Sequence, residues 1–293
     1  MIPEELKLSI GNWLVNERND PGAITDVLPL GGGCINQTCR INSAAGTFFV
    51  KFNYSKRYPG MFEAEAKGLE LLRNSGSITV PEVQTILETE TYSCLILTFI
   101  AGDIPVSGYW ERAGAELAML HRTGSGLWGL DHDNYIGSLP QINHPKSNGI
   151  DFLTECRLFP LAKMAEKQNL LSGTDLKTLE SLCGKLSEIL PDEAPALLHG
   201  DLWNGNIMTG DTGKICYIDP AVYYGHRETD LAMSLLFGGF PEKFYHAYNE
   251  TFPLQPDWKK RTSLFQLYPL LVHLILFGKS YLSPVRSAMQ EYL

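Results

Sequence analysis

The sequence predicts an α+β fold in two lobes, a β-rich N-lobe and a mainly helical C-lobe. Three observations predict it. Strand-type residues, Gly-rich turns and one strong helix fill the first hundred residues. Helical patterning dominates from residue 101 onward. That helical half is interrupted by one strand–turn–strand hairpin at 206–219. A chain of 293 residues is long enough for two lobes sharing a cleft. The change of character near 98–103 divides it into 1–100 and 101–293.

The elements follow in order. Residues 4–18 read as a helix. LPLGGGCINQTCRINSAAGTFFVKFN reads as strand, Gly-rich turn, strand, turn, strand, with β-type residues in TFFVKF. MFEAEAKGLELLRN (61–74) is a helix. VPEVQTILETETYSCLILTFI gives two more strands joined by a polar turn. YWERAGAELAMLHRT, most of 151–190 and 228–250 are helical, whereas 124–150, rich in Gly, Pro and Asn, reads as a long loop. LFQLYPLLVHLILFG (264–278) is short for a membrane span and carries Pro269 and His273, so it reads as a buried helix.

Bulk properties narrow the function. A net charge of −9 argues against a nucleic-acid partner, which would need a basic face. MIPEELKLSIGNWL lacks the apolar core of a secretory signal. The six cysteines (34, 39, 94, 156, 183, 216) form no CxxC pair, which fits a reducing cytoplasm better than a disulfide framework or a zinc site.

Phosphoryl transfer from a nucleotide needs a cover for the phosphates, a cation to hold them, metal ligands to bridge them and a base to orient the acceptor hydroxyl. Each has a candidate. LGGGCIN lies between two strands, where Gly31, Gly32, Gly33 and Cys34 would let backbone N–H groups approach phosphate oxygens. Lys51 ends the strand FFVK one hairpin later. On helix 61–74, Met61, Phe62, Leu69 and Leu72 share a face and Glu65 falls in its middle, whereas Glu63 and Lys67 pair on the opposite side. An inward carboxylate needs a partner, and Lys51 is the natural one. In LLHGDLWNGN, Asp201 and Asn206 are five apart, the spacing D-x-x-x-x-N of a kinase catalytic loop. Asp201 would accept the hydroxyl proton. Asn206 would offer a neutral oxygen to Mg²⁺, and Asp219, across the hairpin, the charged one. His199 reads as structural, its ring fixing the loop through backbone hydrogen bonds. Asp230, opening DLAMSLLFGGF, reads as a helix N-cap that also braces the loop.

These residues together resemble the fructosamine kinase / ketosamine-3-kinase family, in the aminoglycoside-phosphotransferase-like branch of the protein-kinase fold. GGGCIN, FFVK, MFEAEA, LLHGDLWNGN, YIDPAVYYGHRETDLAM and LFGGFP stand in the family's order over nearly the whole chain. The resemblance implies ATP- and Mg²⁺-dependent phosphorylation of the 3-hydroxyl of small-molecule or protein-bound ketosamines, which frees the glycated amine. It implies Lys51 and Glu65 as the nucleotide-holding pair, and Thr98 and Ile100 as the hinge beside adenine. Asp201 is the implied base, Asn206 and Asp219 the metal ligands, and Trp203, Tyr224 and His226 the acceptor-side residues. It also implies redox control through Cys34, in a monomer or a disulfide-linked homodimer. One departure is that NHPKSNGIDFLTEC (143–156) lacks the family's tryptophans, which bears on acceptor choice. The alternatives are a kinase of the same fold with another hydroxyl acceptor, such as an aminoglycoside or choline, and a non-catalytic binding protein on the same scaffold.

Overall fold

The computed structural model describes residues 2–21, 24–31 and 35–293. Helix α1 (Glu4–Arg18) precedes a meander of β1 (Asp26–Leu30), β2 (Gln37–Ser43) and β3 (Gly46–Tyr54). Helix α2 (Met61–Asn74) then crosses to β4 (Val83–Glu88) and β5 (Tyr92–Thr98). The five strands form one antiparallel sheet in the order β1-β2-β3-β5-β4.

Alternation along the strands decides what each face of the sheet meets. Phe48, Val50 and Phe52 of β3, with Cys94 and Ile96 of β5, pack beneath Leu6, Ile10 and Leu14 of α1. Burying each of those α1 side chains contributes roughly 2 kcal/mol. Leu95 and Leu97 turn to the other face and meet Phe62, Ala66 and Leu69 of α2. Lys51 pairs across the ladder with Leu95, so it falls on the α2 face. The period of two that builds the core thus aims one cation at the helix carrying Glu65.

The second part continues with α3 (Tyr109–His121), β6 (Asn134–Ile136), β7 (Leu139–Gln141) and α4 (Gly149–Phe152). Helix α4 runs through a wide π-turn (Leu153–Leu158) into α5 (Phe159–Lys167). There follow α6 (Gly173–Cys183), α7 (Leu186–Ile189), β8 (Ala196–Leu198), β9 (Ile207–Thr209), β10 (Ile215–Tyr217) and β11 (Tyr223–Gly225). Helices α8 (Glu228–Leu236), α9 (Glu242–Thr251), α10 (Thr262–Phe277) and α11 (Leu282–Gln290) complete it. The α10 side chains Leu264, Leu267, Leu271 and Leu274 are fully buried at its centre, among α5, α6 and α11. Helices α3 and α9 cross closely because a Cβ at Gly114 would stand 2.1 Å from the Phe244 carbonyl oxygen.

The structure departs from the sequence reading in five places, the first being the β8–β11 pair, which lies outside the one hairpin expected in the helical half. The 124–150 segment holds the β6–β7 hairpin, whose three-residue strands are too short to leave a periodic signal. The helical run 228–250 is broken into α8 and α9 by Gly238 and Gly239, both at positive φ, followed by Pro241. Glu63 and Lys67 form no ion pair among the described residues. Asp230 is not an N-cap: α8 starts at Glu228 after Arg227, placing Asp230 in the first turn. Among the described residues no helix is long and apolar enough to cross a membrane.

One contact makes stability depend on acid. Asp175 caps α6 with Ser172 and receives Arg286 of α11 through Nε at 2.7 Å and Nη2 at 3.0 Å. Those Arg286 bonds, and then Ser172, hold its carboxyl down at about 2 against the opposing effect of burial. A carboxylate with a depressed folded pKa stabilises above its unfolded value and loses that contribution as pH falls through the folded one. The gain at neutral pH is about 1–2 kcal/mol, after discounting for the half-exposed Arg286. Asp175→Asn should therefore lower the unfolding free energy near neutrality by about that amount. The gap from wild type should close between about pH 4 and pH 2. A pH-independent gap in urea titrations would count against the ion pair.

Candidate active site

Lys51 meets its sequence-predicted partner: Nζ lies 2.6 Å from Glu65 Oε1. It also lies 2.5 Å from Asp219 Oδ1, joining β3, α2 and the stretch after β10. Burial works against the ammonium, but Glu65 and then Asp219 more than offset it and raise the Lys51 pKa. The lysine is thus a fixed cation, its charge supported on two sides.

The catalytic-loop candidate is held from beneath. Asp230, fully buried, accepts from the backbone N–H of His199 at 2.8 Å and of Gly200 at 2.9 Å. His121 Nε2 donates to it at 3.1 Å, and His121 Nδ1 faces the Tyr248 hydroxyl at 2.8 Å. Neither partner was visible in the sequence, because His121 lies on α3 and Tyr248 on α9. His199 performs the structural task expected of it. Its Nε2 donates to the Ile218 carbonyl at 3.0 Å, and its Nδ1 accepts from Asp201 N–H at 3.3 Å. Burial lowers its pKa and keeps the ring in the neutral form that this pairing requires. Gly200 has φ +84°, and a Cβ there would stand 2.0 Å from the Ala221 carbonyl oxygen. Only glycine lets the loop turn so close beneath the Asp219 segment.

On this base stand Asp201, Asn206 and Asp219. Asn206 Nδ2 donates to Asp201 Oδ2 at 2.9 Å and to its carbonyl at 2.8 Å. Burial raises the Asp201 pKa to about 7; the Asn206 amide moderates this, and Asp219 and Asp230 add to it. A carboxylate so tuned is matched to accepting a proton near neutrality. Asp219 sits in the left-handed region at φ 53° with its side chain about half exposed. Because Asn206 spends its NH₂ on Asp201, the amide oxygen is left as an acceptor. Two oxygen donors suit Mg²⁺, which takes few protein ligands and fills its shell with phosphates and water. Among the described residues there is no group of three or more His, Cys, Asp or Glu placed to hold a metal ion.

Lys51, Glu65, Asp201, Trp203, Asn206 and Asp219 line one recess of about 250 Å³. Its far side is built by Asn134–Gly137 and by Pro269, Val272, His273, Leu276 and Phe277 of α10. Sequence reasoning missed His273, whose only trace was a His within an apolar run. Its ring packs against Phe237 at 4.9 Å, Phe277 at 5.3 Å and Tyr281 at 5.1 Å, and Phe237 packs in turn against Trp203 at 5.5 Å. None of the described lining residues comes from 143–156, the segment without tryptophans.

Other expected residues are placed elsewhere. Tyr224 lines a separate groove between α2 and the 125–132 loop. His226 is buried between Trp128 at 4.3 Å and Phe265 at 5.4 Å, and burial lowers its pKa to about 3. Strand β11 pairs with β8, which turns this stretch away from the recess. Thr98 ends β5 with its N–H already given to Glu82 O at 2.9 Å, and Ile100 follows in the connector; neither lines the recess. Gly31 directly follows β1, whereas Gly32, Gly33 and Cys34 fall outside the described residues. Cys39, Cys94, Cys156, Cys183 and Cys216 are free thiols.

A sheet-rich lobe bearing a lysine–glutamate pair, set over a loop presenting Asp201, Asn206 and Asp219, defines a phosphotransferase of the protein-kinase type. The fold is similar to a solved aminoglycoside phosphotransferase, with a TM-score of 0.63 at 16% identity over 98% of this chain and 99% of the other. The chain belongs to the fructosamine kinase family, whose model matches residues 7–293. It is 41% identical over 290 residues to the chloroplastic protein-ribulosamine 3-kinase of Arabidopsis thaliana, covering 97% of this chain and 87% of that one. A crystal structure of a fructosamine-3-kinase candidate from Thermobifida fusca superposes with a TM-score of 0.86 at 33% identity, covering 97% and 98% of the two chains.

Proposed function

We propose that the protein transfers the γ-phosphoryl group of ATP to the 3-hydroxyl of ketosamines, free or on proteins. The observation that carries this reading is the single recess in which Asp201 and Lys51 face an aromatic wall. Asp201 takes the proton from the acceptor hydroxyl as its oxygen bonds to phosphorus and the bond to the β,γ-bridging oxygen breaks. Lys51, kept charged by Glu65, holds the phosphates. Mg²⁺ held by Asn206 and Asp219 would neutralise charge on the transferring group. Trp203, His273 and Phe277 line the recess and are rings of the kind on which the apolar face of a sugar stacks. They do so without the tryptophans absent from 143–156. The names of the relatives, ribulosamine and fructosamine kinases, support the acceptor class.

The test is ATP consumption with fructosyl-lysine and ribulosyl-lysine beside an aminoglycoside panel. Turnover is expected on a ketosamine. If ketosamines are inert while another acceptor turns over, the phosphotransferase site stands and the ketosamine reading fails.

A further inference from the structure

Arg157 is 1% exposed, and among the described residues no carboxylate pairs with it. A lone buried guanidinium is costly. Three ring faces offset the cost, Tyr223 at 3.9 Å, Phe152 at 4.5 Å and Tyr268 at 5.2 Å from Cζ. Its Nη1 donates to the Ile142 carbonyl and, at 3.0 Å, to the Cys156 carbonyl. Its Nη2 donates to Asn143 Oδ1 at 2.8 Å. The wide π-turn Leu153–Leu158 carries it, a distortion that recurs at functional sites.

We propose that Arg157 is a positioning residue for the phosphoryl acceptor, fixing the β6–β7 hairpin as one wall of the recess that holds Asp201. This rests on reading that recess as the acceptor side of a ketosamine kinase. A guanidinium only donates, so Arg157 sets the direction of every bond after it. The Asn143 oxygen must face Arg157, so its Nδ2 donates onward to Asn134 Oδ1 at 2.9 Å and to the His132 carbonyl at 3.1 Å. Asn134 Oδ1 also takes Gln141 Nε2 at 2.7 Å, which turns Asn134 Nδ2 to the Val222 carbonyl at 2.8 Å. Gln141 also donates to the Ala221 carbonyl at 3.1 Å and accepts from the Tyr268 hydroxyl at 2.7 Å. The chain of amides therefore ties the hairpin to the backbone just past Asp219. Two three-residue strands do not hold themselves in place, so these bonds decide where the hairpin stands. Asn134–Gly137 then face the recess.

The test is kinetic, with amide exchange beside it. Asn143→Asp gives Arg157 a carboxylate, which keeps the guanidinium satisfied, but it can no longer donate to Asn134. Arg157→Lys keeps the charge without the fork. Both variants should raise the KM for fructosyl-lysine, or for whichever panel acceptor wild type uses, by about tenfold or more. The KM for ATP should stay within about twofold, since Lys51 is untouched. Exchange over residues 133–143 should quicken while residues 198–206 hold. Parental acceptor constants in folded Asn143→Asp, or acceptor and ATP constants rising together, would overturn the proposal. Unchanged exchange over 133–143 would do the same without any turnover being needed. A wild type inactive on ketosamines but active on another acceptor would fail only the ketosamine reading.

Discussion

Asp201→Asn should lower kcat by roughly 10²–10⁴-fold, the usual contribution of a positioned general base. The fold should survive it. Asparagine has nearly the same shape, and its amide oxygen can still accept from Asn206, which now donates to Asp201 at 2.9 Å. Substitution also removes one negative charge from a place where Asp219 and Asp230 already disfavour it. Unfolding should therefore be no easier, and ATP binding, read by calorimetry, should change little. Retention of more than about a tenth of wild-type turnover would move the base to another residue.

Asp230→Ala should be the most destabilising single substitution near the site, by about 3–5 kcal/mol. It would strip acceptors from the N–H groups of His199 and Gly200 and from His121 Nε2, all in a region closed to water. Unsatisfied buried donors carry their full desolvation cost. Turnover should fall with stability, because the loop that presents Asp201 loses the anchor two residues before it. Asp230→Asn keeps one acceptor and should lie between wild type and Asp230→Ala in urea titration. A loss below about 1 kcal/mol for Asp230→Ala would show that the loop is held mainly by its own turn.

What was legible in the sequence was whatever a local period or spacing encodes. Alternation in FFVKF places Lys51 on one face of the sheet, and the helical period places Glu65 on one face of α2. The structure brings the two faces together. The five-residue spacing of Asp201 and Asn206, and the hairpin carrying Asp219, are likewise local. The rest depended on contacts far apart in sequence. Nothing near His121 says that it donates to a carboxylate 109 residues later. His273 looked like one polar residue in an apolar helix, because the sequence does not show which face of α10 meets the recess. Tyr224 and His226 were expected at the acceptor side from the family resemblance, not from any local period or spacing. The pairing of β11 with β8 puts Tyr224 in the groove beside α2 and His226 between Trp128 and Phe265.

Asp219 is the exposed carboxylate of the recess, and its backbone stands at φ 53°, a conformation that asparagine and glycine adopt more readily. Unlike Asn19, which stands at the end of α1 in the same conformation, it closes no helix. Backbone ease and charge support therefore pull position 219 in opposite directions: glycine would relax the backbone, but the buried Lys51 would lose one of its two carboxylates. On the proposed role of Asp219 as a metal ligand, a lineage kept for phosphoryl transfer tolerates the strain, and its thermal margin has to come from places such as the α1 and α10 cores.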